Sequence, residues 1–273
     1  MSGLKPSRAE MPAPLLASDE PAPFELVNGE GSARLLLICD HASRRVPRAL
    51  GTLGLEEWRL QRHIGWDIGA AEVARGLSRR FDAPLLLAGY SRLVIDCNRR
   101  LGDPSSIPEM SDGVAVPGNR GLGAAEAARR VTELYEPYHA AIEAALRRWQ
   151  SRGVVPAFVS VHSFTPVFAG FERPWHIGVL WDRDPRIALP LIAALGRLGG
   201  IVVGDNEPYS ARVPQGYSVA AHAAQKGYPH VALELRQDLI DTQHGAAQWV
   251  ERLAQALAPI LGDDELYRAA HYP

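Results

Sequence analysis

Short apolar runs alternate with amphipathic stretches along most of the chain. The apolar runs occupy residues 33–40, 84–89, 154–163, 176–182, 201–205 and 230–236. Such runs, without polar alternation, are typical of strands buried on both faces. The amphipathic stretches, with apolar residues at helical spacing, occupy residues 67–80, 123–150, 187–198, 217–227 and 242–257. Strands that alternate with helices predict an α/β layered fold with a mixed, mainly parallel central sheet.

Local features refine this pattern at three places. Residues 92–97 (RLVIDC) follow the run at 84–89 so closely that we expect a hairpin or a bent strand there. Residues 101–122 are rich in Gly, Pro, Ser and Asp, and a loop of that length is often functional, for example as a lid. Pro137 is expected to kink or split the helix over 123–150.

The composition is that of an ordinary globular protein. The chain has 273 residues, of which 47% are hydrophobic, so a sizeable core can be buried. A formal net charge of -2 argues against an electrostatic nucleic-acid binder. No window approaches ~18 uninterrupted apolar residues, so no membrane span is expected.

The N-terminal segment and the cysteines bear on organisation and location. Residues 1–23 carry charges and prolines but no apolar core of a signal peptide. We expect a flexible arm there, ahead of a single domain at residues 24–273. Cys39 and Cys97 do not make a disulfide framework in a chain of this length, so a reducing cytoplasm is the simpler expectation.

Two histidines stand at the ends of predicted buried strands. His41 comes directly after the run at 33–40, and His162 follows FVSV near the end of the run at 154–163. Ligands of open α/β sheets bind outside the carboxyl ends of the strands, so the two imidazoles are expected to meet at one edge. Either histidine alone would more often be a hydrogen-bonded core residue. As a pair, with one carboxylate and a water, they would form a catalytic zinc site.

Asp67 is the best candidate for the third ligand. The sequence has no H-E-x-x-H motif, so the carboxylate must come from another segment. Asp67 stands in HIGWDIGA (63–70) at the start of a predicted helix. The alternative role is an ordinary helix N-cap, and the residues alone leave both roles open.

Glu234 interrupts the apolar run at 230–236. Burying a carboxylate is costly unless it is paired or used in chemistry. Beside a catalytic zinc it would act as the general base that takes a proton from water. The alternative is a buried ion pair with Arg236 or another arginine.

A third polar cluster lies in SRLVIDCNRR (91–100). Arg92 and Arg99 suit a substrate carboxylate because guanidinium groups bind carboxylates in a bidentate manner. Asn98 would in addition hold a carbonyl oxygen, and Asp96 is expected to orient an arginine rather than contact substrate. A solvated charge run is the alternative, and it fits Arg100 better than Arg99.

Other classes of function have less support. A serine hydrolase would need a G-x-S-x-G nucleophile elbow, which the sequence lacks. GNRGLG (118–123) precedes a helix but fits neither P-loop nor dinucleotide spacing, so a plain loop is expected. A non-catalytic carboxylate-binding protein on the same fold stays open, because fold does not fix function. Iron, cobalt and manganese would also accept such a ligand set.

Several segments together resemble the N-formylglutamate amidohydrolase family. They are LLICDHASRRVP (36–47), SRLVIDCNRR (91–100) and SVHSF (160–164), supported by HIGWDIGA (63–70) and LELRQDL (233–239). The resemblance runs over nearly the whole domain. The usual early motif P-H-S-G is replaced by Asp40-His41-Ala42-Ser43, so the chain resembles a divergent branch.

The resemblance implies a fold, a reaction and roles for individual residues. The family is similar in architecture to zinc carboxypeptidases and aspartoacylases, which implies a three-layer sandwich. The implied reaction is hydrolysis of the small molecule N-formyl-L-glutamate to formate and glutamate, late in histidine degradation, or of a related N-acyl amino acid. A zinc carboxypeptidase-like peptidase is the alternative. The implied roles are Zn2+ ligation by His41, Asp67 and His162, general base catalysis by Glu234, and substrate binding by Arg92, Asn98 and Arg99.

Overall fold

A seven-stranded sheet lies at the centre of the protein, as seen in a computed structural model that describes residues 14–213 and 216–272. The strands are β1 (Phe24–Val27), β2 (Leu35–Cys39), β3 (Leu85–Ala88), β4 (Ala157–Phe164), β5 (Ile177–Leu180), β6 (Val203–Asp205) and β7 (His230–Arg236). Their order across the sheet is β1-β3-β2-β4-β7-β5-β6. Strands β3, β2, β4 and β7 are parallel, and β6 is parallel to β5. Because only β1–β3 and β5–β7 pair in the antiparallel sense, the predicted mixed, mainly parallel sheet is confirmed.

Helices cover the sheet, and short turns connect the elements. The helices are α1 (Glu57–Leu60), α2 (Ala70–Phe81), α3 (Ala124–Arg130), α4 (Glu136–Gln150), α5 (Pro185–Arg197), α6 (Ser218–His222) and α7 (Gln243–Leu261). Single 3-10 turns lie at Arg48–Leu50, Pro104–Ser106, Pro117–Asn119, Ala224–Lys226, Gln237–Leu239 and Asp264–Leu266. Among the described helices, none combines the length and apolar character needed to span a bilayer.

Strand β2 shows why the fold has three layers. Its five residues are all buried, and alternate side chains point to opposite faces of the sheet. Leu35 and Leu37 pack into a core built with α2, α5 and α7, whereas Leu36 and Ile38 pack into a second core built with α4. A strand covered on both faces needs no polar alternation, which explains the continuous apolar run.

The long predicted helix over 123–150 is split. Helix α3 passes into a π-helical turn at Val131–Tyr135, and α4 begins at Glu136. Pro137 lies at the start of α4, where its missing N–H interrupts the regular helical bonding. The split predicted from this proline is therefore confirmed.

Residues 92–97 are not a strand, and this prediction was wrong. The segment is a series of buried turns in which Leu93, Val94 and Ile95 pack into the core. Its backbone is satisfied locally: Val94 N donates to Ser91 O at 2.9 Å and Asp96 N to Ser106 O at 2.7 Å. An apolar run signals burial, and it signals a strand only where a neighbouring strand is available for pairing.

The loop at residues 101–122 has more structure than its composition suggests. It holds two 3-10 turns and a small hairpin, Met110–Ser111 with Val114–Ala115. Within the glycine-rich segment, Asn119 is buried and its side chain accepts a hydrogen bond from Arg130 at 2.6 Å. This contact gives the segment a structural role, and a lid role for the loop stays a prediction.

The N-terminal arm differs from the expectation for residues 1–23. Residues 1–13 lie outside the described residues. From residue 14 onward the chain packs on the domain: Leu15 is fully buried, and its N–H donates to the Glu133 carboxylate at 2.8 Å. The flexible-arm prediction was therefore wrong for residues 14–23, because composition revealed neither the burial of Leu15 nor hydrogen bonds such as that from Tyr90 Oη to Pro21 O at 2.7 Å. The single-domain boundary at 24–273 stays a prediction.

Candidate metal centre and active-site cavity

Polar side chains meet where β2, β4 and β7 lie side by side. His41 follows β2 directly after Asp40, and His162 lies near the carboxyl end of β4. Glu234 on β7 pairs in register with His162. The expected edge of the sheet therefore carries these side chains, on the face that is covered by α4 and α6.

His41, Asp67 and His162 form a tight, buried group. Nδ1 of His41 lies 3.2 Å from Oδ2 of Asp67, and Nδ1 of His162 lies 2.8 Å from the same oxygen. The two ring centroids are 5.0 Å apart. Because the candidate ligand atoms lie within 4.8 Å of one another, the group could hold a metal ion.

A second carboxylate contacts the far nitrogen of each imidazole. Oδ1 of Asp96 lies 2.7 Å from Nε2 of His41, and Oδ2 of Asp40 lies 3.3 Å from Nε2 of His162. Metal-binding histidines almost always donate their second ring N–H to such a partner, which fixes the tautomer and the ring orientation. In both rings Nδ1 therefore lies on the side of Asp67, where an ion could bind.

Asp40 is held firmly in place from two helices. Its Oδ1 accepts hydrogen bonds from Tyr138 Oη at 3.0 Å and Ser218 Oγ at 2.7 Å. Burial alone would raise the pKa of Asp40, but the hydrogen bond and charge of His162 outweigh it and lower the pKa to about 2. Asp40 is therefore an ionised anchor for His162.

The charge balance of the site suits a divalent cation. Burial works against ionisation of Asp67 and Asp96, yet the neighbouring imidazoles, and for Asp96 also Arg92, hold both carboxyl pKa values below their ordinary value. Burial lowers the pKa of His162 as well, but Asp40 and Asp67 raise it well above its usual range. Asp67 and Asp96, together with Asp40, make three buried carboxyl groups with lowered pKa values, and Arg92 is the arginine that contacts the group. Imidazolium protons or a divalent ion would balance the remaining negative charge.

Asp67 does not cap helix α2. The N-cap position is Gly69, which has φ 78° and no side-chain cap. The Asp67 backbone N–H instead donates to His41 O at 3.0 Å, which ties the two segments together. Of the two roles that the sequence left open, the N-cap role is therefore wrong.

Glu234 is buried without an ion-pair partner among the described residues. Its Oε2 has no hydrogen-bond partner in that part of the chain. Arg236, the partner considered from sequence, contacts Asp238 instead at 2.8 Å. Burial raises the pKa of Glu234 to about 7, although His162 opposes this shift. The buried-ion-pair alternative is therefore wrong.

The three predicted substrate contacts lie beside this group. Arg92 contacts Asp96 at 3.0 Å and Asp67 at 3.4 Å, as expected of a pair in which Asp96 orients an arginine. Asn98 Oδ1 accepts the backbone N–H of Ser218 at 3.0 Å, so it helps to hold the start of α6. Arg99 Nε donates to Ser105 Oγ at 3.2 Å.

A single cavity of about 310 Å³ connects these side chains. All seven site residues predicted from the sequence line it: His41, Asp67, Arg92, Asn98, Arg99, His162 and Glu234. Two aromatic residues that the sequence did not single out, Trp181 and Tyr209, also line it. The Tyr209 hydroxyl accepts a hydrogen bond from the buried Arg173 at 3.3 Å. Neither residue carries a motif, so sequence alone gave no signal for them.

The sequence matches the N-formylglutamate amidohydrolase family over residues 33–241. The chain belongs to this family. It is therefore an amidohydrolase, and its substrate is a small molecule. The resemblance stated from sequence motifs is confirmed, and the enzyme interpretation is favoured over a non-catalytic binding protein.

Solved structures support the same fold. The gene product Atu2144 from Agrobacterium tumefaciens is 35% identical, with a TM-score of 0.88, and the match covers 92% of this chain and 99% of that chain. N-formylglutamate amidohydrolase from Ralstonia eutropha JMP134 is 23% identical, with a TM-score of 0.69, covering 88% and 98%. This second likeness shows the fold alone. A search of the curated proteins gave no match.

Sequence reasoning did not identify the two carboxylates that contact the far nitrogens of the imidazoles, Asp40 and Asp96. We call these two residues the outer carboxylates. Asp40 received no role, although it immediately precedes His41, and Asp96 was assigned to an arginine alone. The signal available was an acidic residue beside each predicted ligand segment. Which imidazole each carboxylate contacts depends on which strands and loops lie next to each other in the fold, and one sequence does not show this.

Proposed function

We propose that this amidohydrolase is zinc-dependent and hydrolyses a linear amide of a carboxylate-bearing substrate, either N-formyl-L-glutamate or a related N-acyl amino acid. One observation carries the proposal. The ligand atoms of His41, Asp67 and His162 converge within 4.8 Å beside a buried Glu234 oxygen that has no partner among the described residues.

The ligand atoms fit zinc. Two imidazole nitrogens and one carboxylate oxygen, with a fourth position left for water, are a usual set for catalytic zinc. Imidazole ligands favour transition metals and zinc over magnesium or calcium. When bound, zinc would lower the pKa of a coordinated water towards ~7 and polarise the amide carbonyl.

Glu234 would move the proton. A general base works best when its pKa lies near the operating pH, and burial raises the pKa of Glu234 to about 7. Its carboxylate would accept a proton from the attacking water. The same proton would then pass to the amide nitrogen as the C–N bond breaks, which leaves the carboxylate ready for another turnover.

The neighbouring polar side chains would bind and orient the substrate. Arg92 contacts Asp67 and Asp96, so its guanidinium is fixed beside the three candidate metal ligands. With the Asn98 amide, it would stabilise the negative charge that develops on the carbonyl oxygen. Arg99 would bind the substrate carboxylate and hold the amide in place.

The direct test is the variant Glu234→Gln, which keeps the shape of the side chain and removes the base. We expect wild-type zinc content and a kcat at least ~100-fold lower, as for the loss of a general base. Glu172→Gln, at an exposed position of the small hairpin that pairs Val167–Phe168 with Phe171–Glu172, is the matched control and should keep wild-type kcat. Near-normal turnover of Glu234→Gln would remove Glu234 from this role.

A further inference from the structure

The active-site cavity extends away from the metal group along strand β7. Alternate residues of a strand share one face, and Glu234, Ala232 and His230 all line the cavity. At about 3.3 Å per residue, this row spans roughly 13 Å. The cavity is therefore much longer than the reacting amide bond requires.

The extension is walled by small apolar side chains. On the sheet side, Leu180 of β5 pairs in register with Ala232 of β7. On the other side lie Val219 and Ala220 of α6, followed by Ala224. We call the space between these five residues the α6 slot.

The arginines of the cavity belong to one end of it, where α6 begins. Among the described residues that line the cavity, Arg92 and Arg99 are the only arginines or lysines. Arg92 is already paired with two carboxylates, Asp67 and Asp96. Arg99 follows Asn98, whose side chain accepts the backbone N–H of Ser218, so Arg99 belongs to the end of the cavity where α6 begins.

The far end of the α6 slot disfavours an anion. The polar residues there are His230, whose Nδ1 donates to Tyr228 O at 2.7 Å, and Asp182, whose half-exposed carboxylate contacts Arg183 at 3.6 Å. A carboxylate placed in the slot would lose hydration against alanine and leucine side chains without gaining a cation among the lining residues there. An apolar group would instead gain by leaving water.

We infer that the substrate carries one carboxylate, held at the Arg99 end, and an apolar amino-acid side chain that fills the α6 slot. The preferred substrates are thus N-acyl derivatives of residues such as leucine rather than glutamate. The inference rests on the proposed function, whose general substrate class it narrows. A cavity of about 310 Å³ matches the lower end of sites for small organic ligands.

The first test compares substrates on the zinc-loaded, full-length wild type. N-formylglycine, N-formyl-L-leucine and N-formyl-L-glutamate differ only in the group that the slot would receive. One methylene in an apolar pocket changes kcat/KM about 10-fold or more. We therefore expect kcat/KM for the leucine derivative to exceed that of each of the other two substrates at least ~10-fold. Equal or better turnover of the glutamate derivative would overturn the inference and leave the proposed function standing. Absence of turnover for all three and for their N-acetyl counterparts would overturn both.

The second test fills the slot. Ala220→Leu should lower the leucine-to-glycine ratio of kcat/KM at least ~10-fold, because the new side chain occupies the space of the substrate group. Ala140→Leu, on the exposed face of α4, is the control and should keep the wild-type ratio. Thermal unfolding of both variants checks folding. An unchanged ratio in a folded Ala220→Leu variant would contradict the inference. If that variant does not fold, the comparison of substrates on the wild type decides the question.

Discussion

His41 and His162 share one feature that matters for metal binding: each imidazole lies between two carboxylates. One nitrogen faces Asp67, and the other is held by Asp96 or Asp40. A ring that donates from Nε2 presents a lone pair at Nδ1. The outer carboxylates therefore select the tautomer that an ion at Asp67 requires.

Removing one outer carboxylate should weaken metal binding without removing a ligand. For Asp96→Asn we expect zinc affinity to fall about 10–100-fold, the usual cost of losing such a partner. Competition with a chromophoric chelator measures this directly. Asp241→Asn, an exposed position, serves as the control. Wild-type affinity in Asp96→Asn would show that Asp96 does not orient His41.

The imidazoles should also make metal binding depend on pH. Asp67 and the outer carboxylates outweigh burial and raise the pKa of both His41 and His162 above the ordinary value of 6.5. The metal-free site therefore keeps its imidazole protons to higher pH than free histidine does, and ligation must displace them. We expect zinc affinity to rise with pH across neutrality.

Calorimetric titrations with zinc measure this effect. Titrations between about pH 6 and 8, in buffers of different ionisation enthalpy, should show proton release on binding that grows as the pH falls. Affinity independent of pH, with no proton released, would contradict the assignment of the two imidazoles as ligands.

At the scale of single residues, the sequence could predict the candidate ligands and the candidate base but not the side chains that contact them. His41, His162 and Glu234 stood out because polar residues at the ends or interiors of buried strands need a reason to be there. For Asp67 the sequence leaves two roles open, since a carboxylate before a helix is often a cap. The contacts of Asp40 depend on the meeting of two strands and two helices, which spacing alone does not display.

Helix α2 positions Asp67 through the turn that begins it. Gly69 has φ 78°, a conformation that other residues adopt only with strain, and a Cβ there would collide with Ile240 O. The turn thus depends on glycine, and the carboxylate of Asp67 lies two residues before it.

Gly69→Ala should therefore affect both stability and the metal site. We expect a loss of more than ~1 kcal/mol in the free energy of unfolding, together with weaker zinc binding. Gly196→Ala in α5 is the matched control, because its Cβ would meet nothing within 4 Å, and it should be neutral or slightly stabilising. Chemical denaturation and chelator competition provide the two measurements. Equal stability of the two variants would contradict the strained-turn explanation.

Elements were predictable where the hydrophobic pattern had one interpretation. The strand predicted at 230–236 is observed as His230–Arg236, because strands buried on both faces read as continuous apolar runs. The run at 92–97 is equally apolar, but its backbone bonds form turns. The edge strand Phe24–Val27 escaped notice for the opposite reason, since none of its residues is fully buried.

At the scale of the whole molecule, the candidate metal group joins segments that are distant along the chain. His41 follows β2, Asp67 precedes α2, and His162 lies in β4. An unfolded chain does not hold these atoms together, so zinc should bind the native state selectively and stabilise it.

Metal removal should therefore lower the melting temperature. At a free zinc concentration 100 times the Kd, the stabilisation is about 2.7 kcal/mol, which corresponds to several degrees in a protein of this size. Differential scanning calorimetry before and after chelation, followed by zinc addition, measures the shift. His41→Ala is the control, because its melting temperature should respond little to zinc. A wild type whose melting temperature ignores zinc would contradict native-state binding.

The most direct measurement is anomalous X-ray scattering at the zinc edge from crystals of the zinc-loaded protein. We predict one strong peak about 2.0–2.2 Å from Nδ1 of His41, Nδ1 of His162 and a carboxylate oxygen of Asp67. A zinc peak held elsewhere, with these three side chains still bonded to one another, would contradict the metal site on which the proposed catalysis depends.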